Sequence, residues 1–259
     1  MSVFTTEIAS DKITSDNPIH QRLLKAYYLA KPYIRGKLLE VGCGEGRGVE
    51  LLAPLSSQYV ALDKILAVIE DLSAKFPEFS FQHVNIPPFK DIPNNSFDVV
   101  VSFQVIEHIK DDKYFLKEIY RVLKPGGLAL ITTPNIEKTL SRNPWHIREY
   151  KSNQLKQLAS EIFDGVEMKG ITGNERVWEY YNNNKKSVER ITRWDFLNLQ
   201  YKLPAFLLKV PYEALNRLNR NKLESTDSVL VRSITHEDYQ LSENPEESLD
   251  LFGILQKAK

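Results

Sequence analysis

Short apolar runs alternate along the chain with stretches whose apolar residues return every three or four positions, and that alternation predicts strands and helices in succession. Leu38, Leu39 and Val41 read as a buried strand that runs into a loop with glycine at every second position, Gly42, Gly44, Gly46 and Gly48. A helix over residues 49–55 follows, then a strand over 58–62 that ends at Asp63, a helix over 65–75 and a third strand over 79–84 before Pro87 and Pro88. Asn94, Asn95 and Ser96 form a turn into a fourth strand, Phe97 to Ser102, and the apolar spacing of residues 103–109 opens a helix. A further helix over 113–123 leads into Lys124-Pro125-Gly126-Gly127, where proline presets φ and glycine supplies positive φ, and from there into a fifth strand ending at Asn135. Upstream, Leu23, Leu24, Tyr27, Tyr28 and Ala30 mark a helix over 19–34, preceded by a polar arm.

Beyond the fifth strand lies a loop dense in polar, aromatic and ionisable residues, 135–150. It is followed by an amphipathic helix over 152–163 with Ser152 as its cap, a sixth strand over 165–171 and a last strand over 249–257. Residues 174–223 have no strand character. They carry helical patterns interrupted at Pro204 and Pro211, and Leu208, Tyr212, Leu215 and Leu218 share one face flanked by Lys209, Arg217, Arg220 and Lys222. That stripe packs on the domain or a second subunit, or it docks on a membrane surface or a lipid-linked substrate.

Composition narrows the function classes. With 34 Lys and Arg against 34 Asp and Glu the charges cancel, so nothing draws the whole chain to nucleic acid. Cys43 is the only cysteine and no basic-then-apolar leader opens the sequence, which together point to a reducing, cytoplasmic setting. One cysteine beside five scattered histidines gives no metal-ligand spacing, so no metal is expected.

The glycine loop excludes two nucleotide sites. A dinucleotide fingerprint needs a third glycine three positions after the second, where Arg47 or Val49 stands, and no Gly-Lys-Ser/Thr ending marks a phosphate loop. What remains, an acidic residue (Glu40) followed by glycine at alternate positions, resembles the first motif of the class I S-adenosylmethionine-dependent methyltransferases. The Phe97-Asp98-Val99-Val100-Val101-Ser102 strand, then Val105-Ile106-Glu107-His108-Ile109, then Leu123-Lys124-Pro125-Gly126-Gly127, come in the order seen in methyltransferases of the ubiquinone-biosynthesis O-methyltransferase type. The match covers roughly half the chain.

That resemblance implies a Rossmann-like α/β fold with a mostly parallel seven-stranded sheet, its last strand antiparallel, and a helical cap inserted before that strand. The expected division is an arm and helix over 1–35, the cofactor-binding core over 36–173, the cap over 174–230 and a C-terminal hairpin completing the sheet over 231–259. It also implies S-adenosylmethionine as cofactor, held by Gly42, Cys43, Gly44 and Gly46, with Glu40 organising the loop or holding the amino group through water. Asp63 and Lys64 end the second strand, where a carboxylate accepts from both ribose hydroxyls; Asp63 also suits a plain helix cap. Asn85 stands where relatives usually place the aspartate that meets the adenine amino group, with Ile86 offering its backbone N–H. Phe103 and Gln104 follow the fourth strand, and Arg22 is nominated for the methionine carboxylate.

For the transfer itself, His146 is the first candidate base and His108 the second. Trp145, Arg148 and Tyr150 are nominated for the acceptor, although Arg148 and Glu149 equally suit a pair that only fixes the loop. The expected activity is methyl transfer to a hydroxyl of a small molecule, sugar or lipid-linked glycan, with a peripheral membrane contact through the cap. Carbon or nitrogen methylation, or a non-catalytic cofactor-binding scaffold, are the alternatives. The oligomeric state is left open.

Overall fold

The structure is a computed structural model that describes residues 12–195 and 197–259. α1 (Asn17–Ala30) opens with proline in its first turn and leads to β1 (Lys37–Val41), α2 (Val49–Leu52), β2 (Gln58–Asp63), α3 (Leu66–Lys75), β3 (Ser80–His83) and β4 (Phe97–Phe103). α4 (Asp112–Val122), β5 (Leu123–Pro134), α5 (Ser152–Ser160) and β6 (Gly165–Gly173) follow, and then four helices, α6 (Glu175–Thr192), α7 (Leu199–Lys202), α8 (Ala205–Thr226) and α9 (Ser228–Ser233). β7 (Tyr239–Ser242) and β8 (Asp250–Gln256) close the chain.

The strands form one sheet in the order β3-β2-β1-β4-β5-β8-β6-β7. β3 through β5 pair in parallel, while β8 is antiparallel to both β5 and β6. Among the described residues the sheet therefore has eight strands, one more than expected, because Tyr239 to Ser242 pairs antiparallel with the outer edge of β6. β7 and β8 lie on either side of β6 and do not form the expected C-terminal hairpin.

Parallel strands covered by helices on both faces are buried throughout, and β4 follows that rule, with six of its seven residues inaccessible. Alternate residues feed two cores. Leu38, Val99 and Val101 pack with Ala26, Tyr27 and Leu52 on one face; Leu39, Val41 and Val100 pack with Phe115, Leu116 and Ile119 on the other. The strand order reverses between β1 and β4, which leaves a crevice beyond the carboxyl ends of these strands, the usual place for a ligand in open α/β sheets.

Residues 103–109 do not open a helix: Phe103 still belongs to β4, Gln104 takes a left-handed conformation at φ 57°, and only a single turn of 3₁₀ helix forms over Ile106–His108. The Glu107 carbonyl accepts instead from the N–H groups of Ile147 (2.8 Å) and Arg148 (3.3 Å), so a tertiary contact replaces helical hydrogen bonding.

Candidate active site

The glycine loop occupies the crevice. Gly42 and Cys43 both donate to the Leu62 carbonyl, at 2.8 and 3.2 Å, which ties the loop to the end of β2. Gly42 has φ 79°, and a Cβ there would fall 2.4 Å from the Val105 side chain, so neither conformation nor space admits another residue. Gly44 differs: φ is 49°, but a Cβ there would meet nothing within 4 Å. The loop thus presents bare backbone to open space, the property a cofactor cradle requires. Cys43 is buried and fills the loop from beneath.

Two carboxylates hold this loop. Glu40 is buried and accepts from Tyr27 Oη at 2.9 Å and Tyr59 Oη at 2.5 Å, while burial pushes its pKa up to about 7 against the pull of both tyrosines. Its role is to lock α1 and β2 against β1 beneath the loop; both its oxygens are engaged in doing so. Asp63 accepts from Gly44 N and from Ile65 N, each at 2.9 Å, so it joins the loop to the start of α3. Each carboxyl oxygen that accepts one of these bonds retains a second lone pair for a ligand hydroxyl.

The remaining cofactor candidates surround the crevice less tightly. Lys64 is exposed, and its carbonyl meets His83 Nε2 at 3.0 Å. Asn85 is exposed and Ile86 half-buried beyond β3. Phe103 is buried edge-to-face on Tyr27, and Gln104 is fixed by its N–H to the Thr132 carbonyl (2.9 Å). Arg22 pairs through Nε with buried Asp250 Oδ2 at 3.1 Å and faces the adjoining cleft, so its charge is already largely answered within the protein.

That cleft, about 240 Å³, lies beyond the ends of β4 and β5 between the core and the cap. Its walls are rich in hydrogen-bonding groups: Glu107, His108, His146 and Glu149 from the core, Tyr180, Asn184, Tyr212 and Arg220 from the cap. His146 Nδ1 lies 2.6 Å from Glu149 Oε1, and Asn143 Nδ2 lies 2.8 Å from His146 Nε2. Asn143 Oδ1 accepts from Trp145 N at 3.0 Å, which fixes the amide orientation. Nε2 is therefore an acceptor and Nδ1–H donates to Glu149. His108 Nδ1 donates to the Trp145 carbonyl at 2.9 Å, and burial beside His146 lowers its pKa to about 4, so it is neutral near pH 7.

Glu107, inside the motif that carries the resemblance, joins these side chains although the sequence gives it no role. It is buried, Oε2 accepts from Thr133 Oγ1 at 3.0 Å, Oε1 has no hydrogen-bond partner, and burial pushes its pKa up to about 7. Ligand atoms of Glu107, His108 and His146 lie within 4.8 Å of one another, a spacing that a small divalent cation would also satisfy. The scattered sequence positions of the histidines hid this grouping.

The three acceptor candidates do not line the cleft. Arg148 pairs with Asp112 and donates to the Lys110 carbonyl; Tyr150 is buried and donates to Asp112 Oδ2 at 2.8 Å; Trp145 lies under Lys209, whose Nζ is 3.5 Å from the ring centre. They fix the loop that carries His146. Glu149, Asn143 and the cap residues Tyr180, Tyr212 and Arg220 occupy the wall in their place. Asn143 and Glu149 each stand three residues from His146, a spacing visible in the sequence, whereas the cap residues reach the wall only through tertiary packing.

Comparison with known proteins agrees with this geometry. A family described as methyltransferase domain matches residues 39–131, the stretch from β1 to β5. A Mycolicibacterium smegmatis protein named probable S-adenosylmethionine-dependent methyltransferase is 40% identical over 126 residues, 47% of this chain and 49% of that protein. The mitochondrial ubiquinone biosynthesis O-methyltransferase of Mus musculus is 33% identical over 130 residues, 45% of this chain and 34% of that one. The chain thus spans about half the length, or less, of these relatives.

Among solved structures, a Thermotoga maritima S-adenosylmethionine-dependent methyltransferase superposes with TM-score 0.57 at 16% identity, covering 94% of this chain and 91% of that one. The [4+2]-cyclase SpnF superposes with TM-score 0.55 at 17% identity, covering 92% and 82%. At such identities the likeness shows the fold alone. The residues fit the cofactor: open backbone at Gly44, a carboxylate at Asp63 and a crevice at the strand reversal. The methyltransferase-domain match falls on this same stretch, so residues 39–131 carry both the family resemblance and the cofactor-cradling features.

Proposed function

We propose that the chain transfers a methyl group from S-adenosylmethionine to a hydroxyl of a polyhydroxylated acceptor, a sugar or a lipid-linked glycan. The observation that carries this reading is the cleft beyond the ends of β4 and β5, whose walls hold His146 on Glu149 among tyrosine, asparagine and arginine side chains. Many donors and acceptors in one small cleft suit a ligand with many hydroxyls better than an apolar ring, since each unmatched buried polar group would cost about 1–3 kcal/mol.

The cofactor, when bound, supplies a methyl group already made electrophilic by the sulfonium. The protein's tasks are to align the acceptor, exclude water and take up the hydroxyl proton. His146 takes that proton at Nε2 once the acceptor hydroxyl replaces the Asn143 amide, and Glu149 stabilises the imidazolium that forms. Glu149 is itself held by Thr139, so the pair is oriented before an acceptor arrives.

Transfer of a labelled methyl group from S-adenosylmethionine, measured against a panel of free sugars, nucleotide sugars and lipid-linked glycans, tests the reading. Transfer to a hydroxyl of one of these classes is expected, and His146→Ala should lose about 10²- to 10⁴-fold in turnover with cofactor affinity retained. Tight cofactor binding without transfer to any hydroxylated acceptor would favour the scaffold alternative and end this proposal.

A further inference from the structure

The cap ends in a surface that the acceptor cleft does not use. Between the end of α6 and the start of α8, Trp194, Leu197, Tyr201, Phe206, Leu207 and Val210 stand in solvent, between 52% and 76% exposed. At such exposure a large side chain presents on the order of 100 Å². Six together reach or pass the ~300–600 Å² that the largest apolar patch of a monomer usually covers. Phe206 and Val210 are one helical turn apart on α8, so they share a face.

The segment that carries this patch has an excess of positive charge. Residues 185–210 hold six cations, Lys185, Lys186, Arg190, Arg193, Lys202 and Lys209, against two acids, Glu189 and Asp195. The chain as a whole is neutral, so this excess is segregated to the cap. Asp195 is spent within the tip itself, accepting from Leu199 N at 2.6 Å and Gln200 N at 3.0 Å. Arg193 lies over the Trp194 ring, 5.1 Å from its centre, so cation and aromatic face outward together.

We propose that the tip of the cap docks on the surface of an anionic lipid bilayer. Apolar and aromatic side chains enter the headgroup region while the surrounding cations meet lipid phosphates. A second copy of the chain fits the patch poorly, because a two-fold contact would bring like-charged segments against each other. No described helix is long and apolar enough to cross a membrane, so the contact is peripheral. Tyr212 of α8, two residues past Val210, lines the acceptor cleft, as does Val188 of α6, six residues before Trp194, so docking sets the cleft mouth near the headgroups. The docking surface does not depend on the acceptor reading.

Co-sedimentation with vesicles of phosphatidylcholine alone, and of phosphatidylcholine with phosphatidylglycerol, decides the matter. The protein should sediment with the anionic vesicles only, less as salt is raised. Trp194→Ser combined with Phe206→Ser should lower the partition coefficient about tenfold or more, and Arg190→Gln with Arg193→Gln and Lys202→Gln should abolish the preference for phosphatidylglycerol. Calorimetry with S-adenosylmethionine, unchanged in both variants, establishes that they are folded and separates this test from the methyl-transfer reading. Equal binding to both vesicles, or to neither, overturns the proposal. So does a wild-type dimer in light scattering that the double serine variant converts to monomer, which would assign the patch to a second copy.

Discussion

Replacing Glu107 by glutamine should make the protein more stable than the wild type as the pH rises. In the folded chain burial lifts this carboxyl from 4.5 to about 7, with Thr133 Oγ1 on one oxygen and no hydrogen-bond partner on the other. The folded pKa lies above the unfolded one, so the group's favourable contribution is complete below pH 4.5 and is lost as the pH rises through 7. Ionising it inside the fold costs roughly 3 kcal/mol by pH 8, but under about 1 kcal/mol at pH 5. Glutamine keeps the shape and cannot ionise. Whatever the amide itself costs in packing is the same at both pH values and cancels in the comparison. The difference in unfolding free energy between variant and wild type should therefore shift by about 2–3 kcal/mol in favour of the variant between pH 5 and pH 8. Urea unfolding at the two pH values measures it directly, and melting temperatures should move apart by about 5–10 °C over the same interval. Parallel stability profiles, with the same difference at pH 5 and pH 8, would show that Glu107 does not titrate near neutrality and would refute the argument.

Asp63→Ala removes the carboxylate that holds Gly44 N and Ile65 N and would accept from the ribose, so S-adenosylmethionine affinity should fall by about 1.5–3 kcal/mol in calorimetry; unchanged affinity in a folded variant would reject the ribose assignment. Gly44→Ala and Gly48→Ala should separate binding from folding. At Gly44 a Cβ meets only open space, so the fold should lose about 1–2 kcal/mol to its positive φ while cofactor binding is lost. At Gly48 a Cβ falls 2.1 Å from the Tyr27 ring, so thermal unfolding should record the larger damage there.

The sequence disclosed those parts of the fold whose cause is local. β4 is visible because a strand covered on both faces must be apolar along its length, and the glycine loop is visible because its backbone excludes other residues at Gly42. Glu40 could be singled out as an acid beside that loop, but its function could not, since Tyr27 and Tyr59 reach it from 13 and 19 positions away. Residues 103–109 misled for a similar reason. Val105, Ile106 and Ile109 are spaced as in a helix, but the Glu107 carbonyl that a helix would use is taken by the loop at Ile147 and Arg148. β7 is too short, at four residues, for alternation to distinguish it from a polar connection.

The loop after β5 shows why binding residues were expected where supporting ones stand. Asn135 is buried and donates through Nδ2 to the carbonyls of Pro245, Glu246 and Ser248, which fastens the loop's first residue to the turn before β8. Its far end is fastened by Tyr150, whose carbonyl accepts from Ile136 N at 3.1 Å and whose hydroxyl donates to Asp112 at the start of α4. Arg148 pairs with the same Asp112, and that pairing keeps the carboxyl below the ordinary range despite partial burial. A loop tied at both ends can hold His146 between Asn143 and Glu149 without help from a ligand, and preorganisation of this kind lowers the cost of reaching a reactive arrangement. Read one residue at a time, an exposed cation and a tyrosine beside a histidine look like groups waiting for an acceptor. Their partner is Asp112, 36 positions before Arg148 and 38 before Tyr150 in the chain, and only the packing of α4 against this loop turns them from acceptor contacts into its supports.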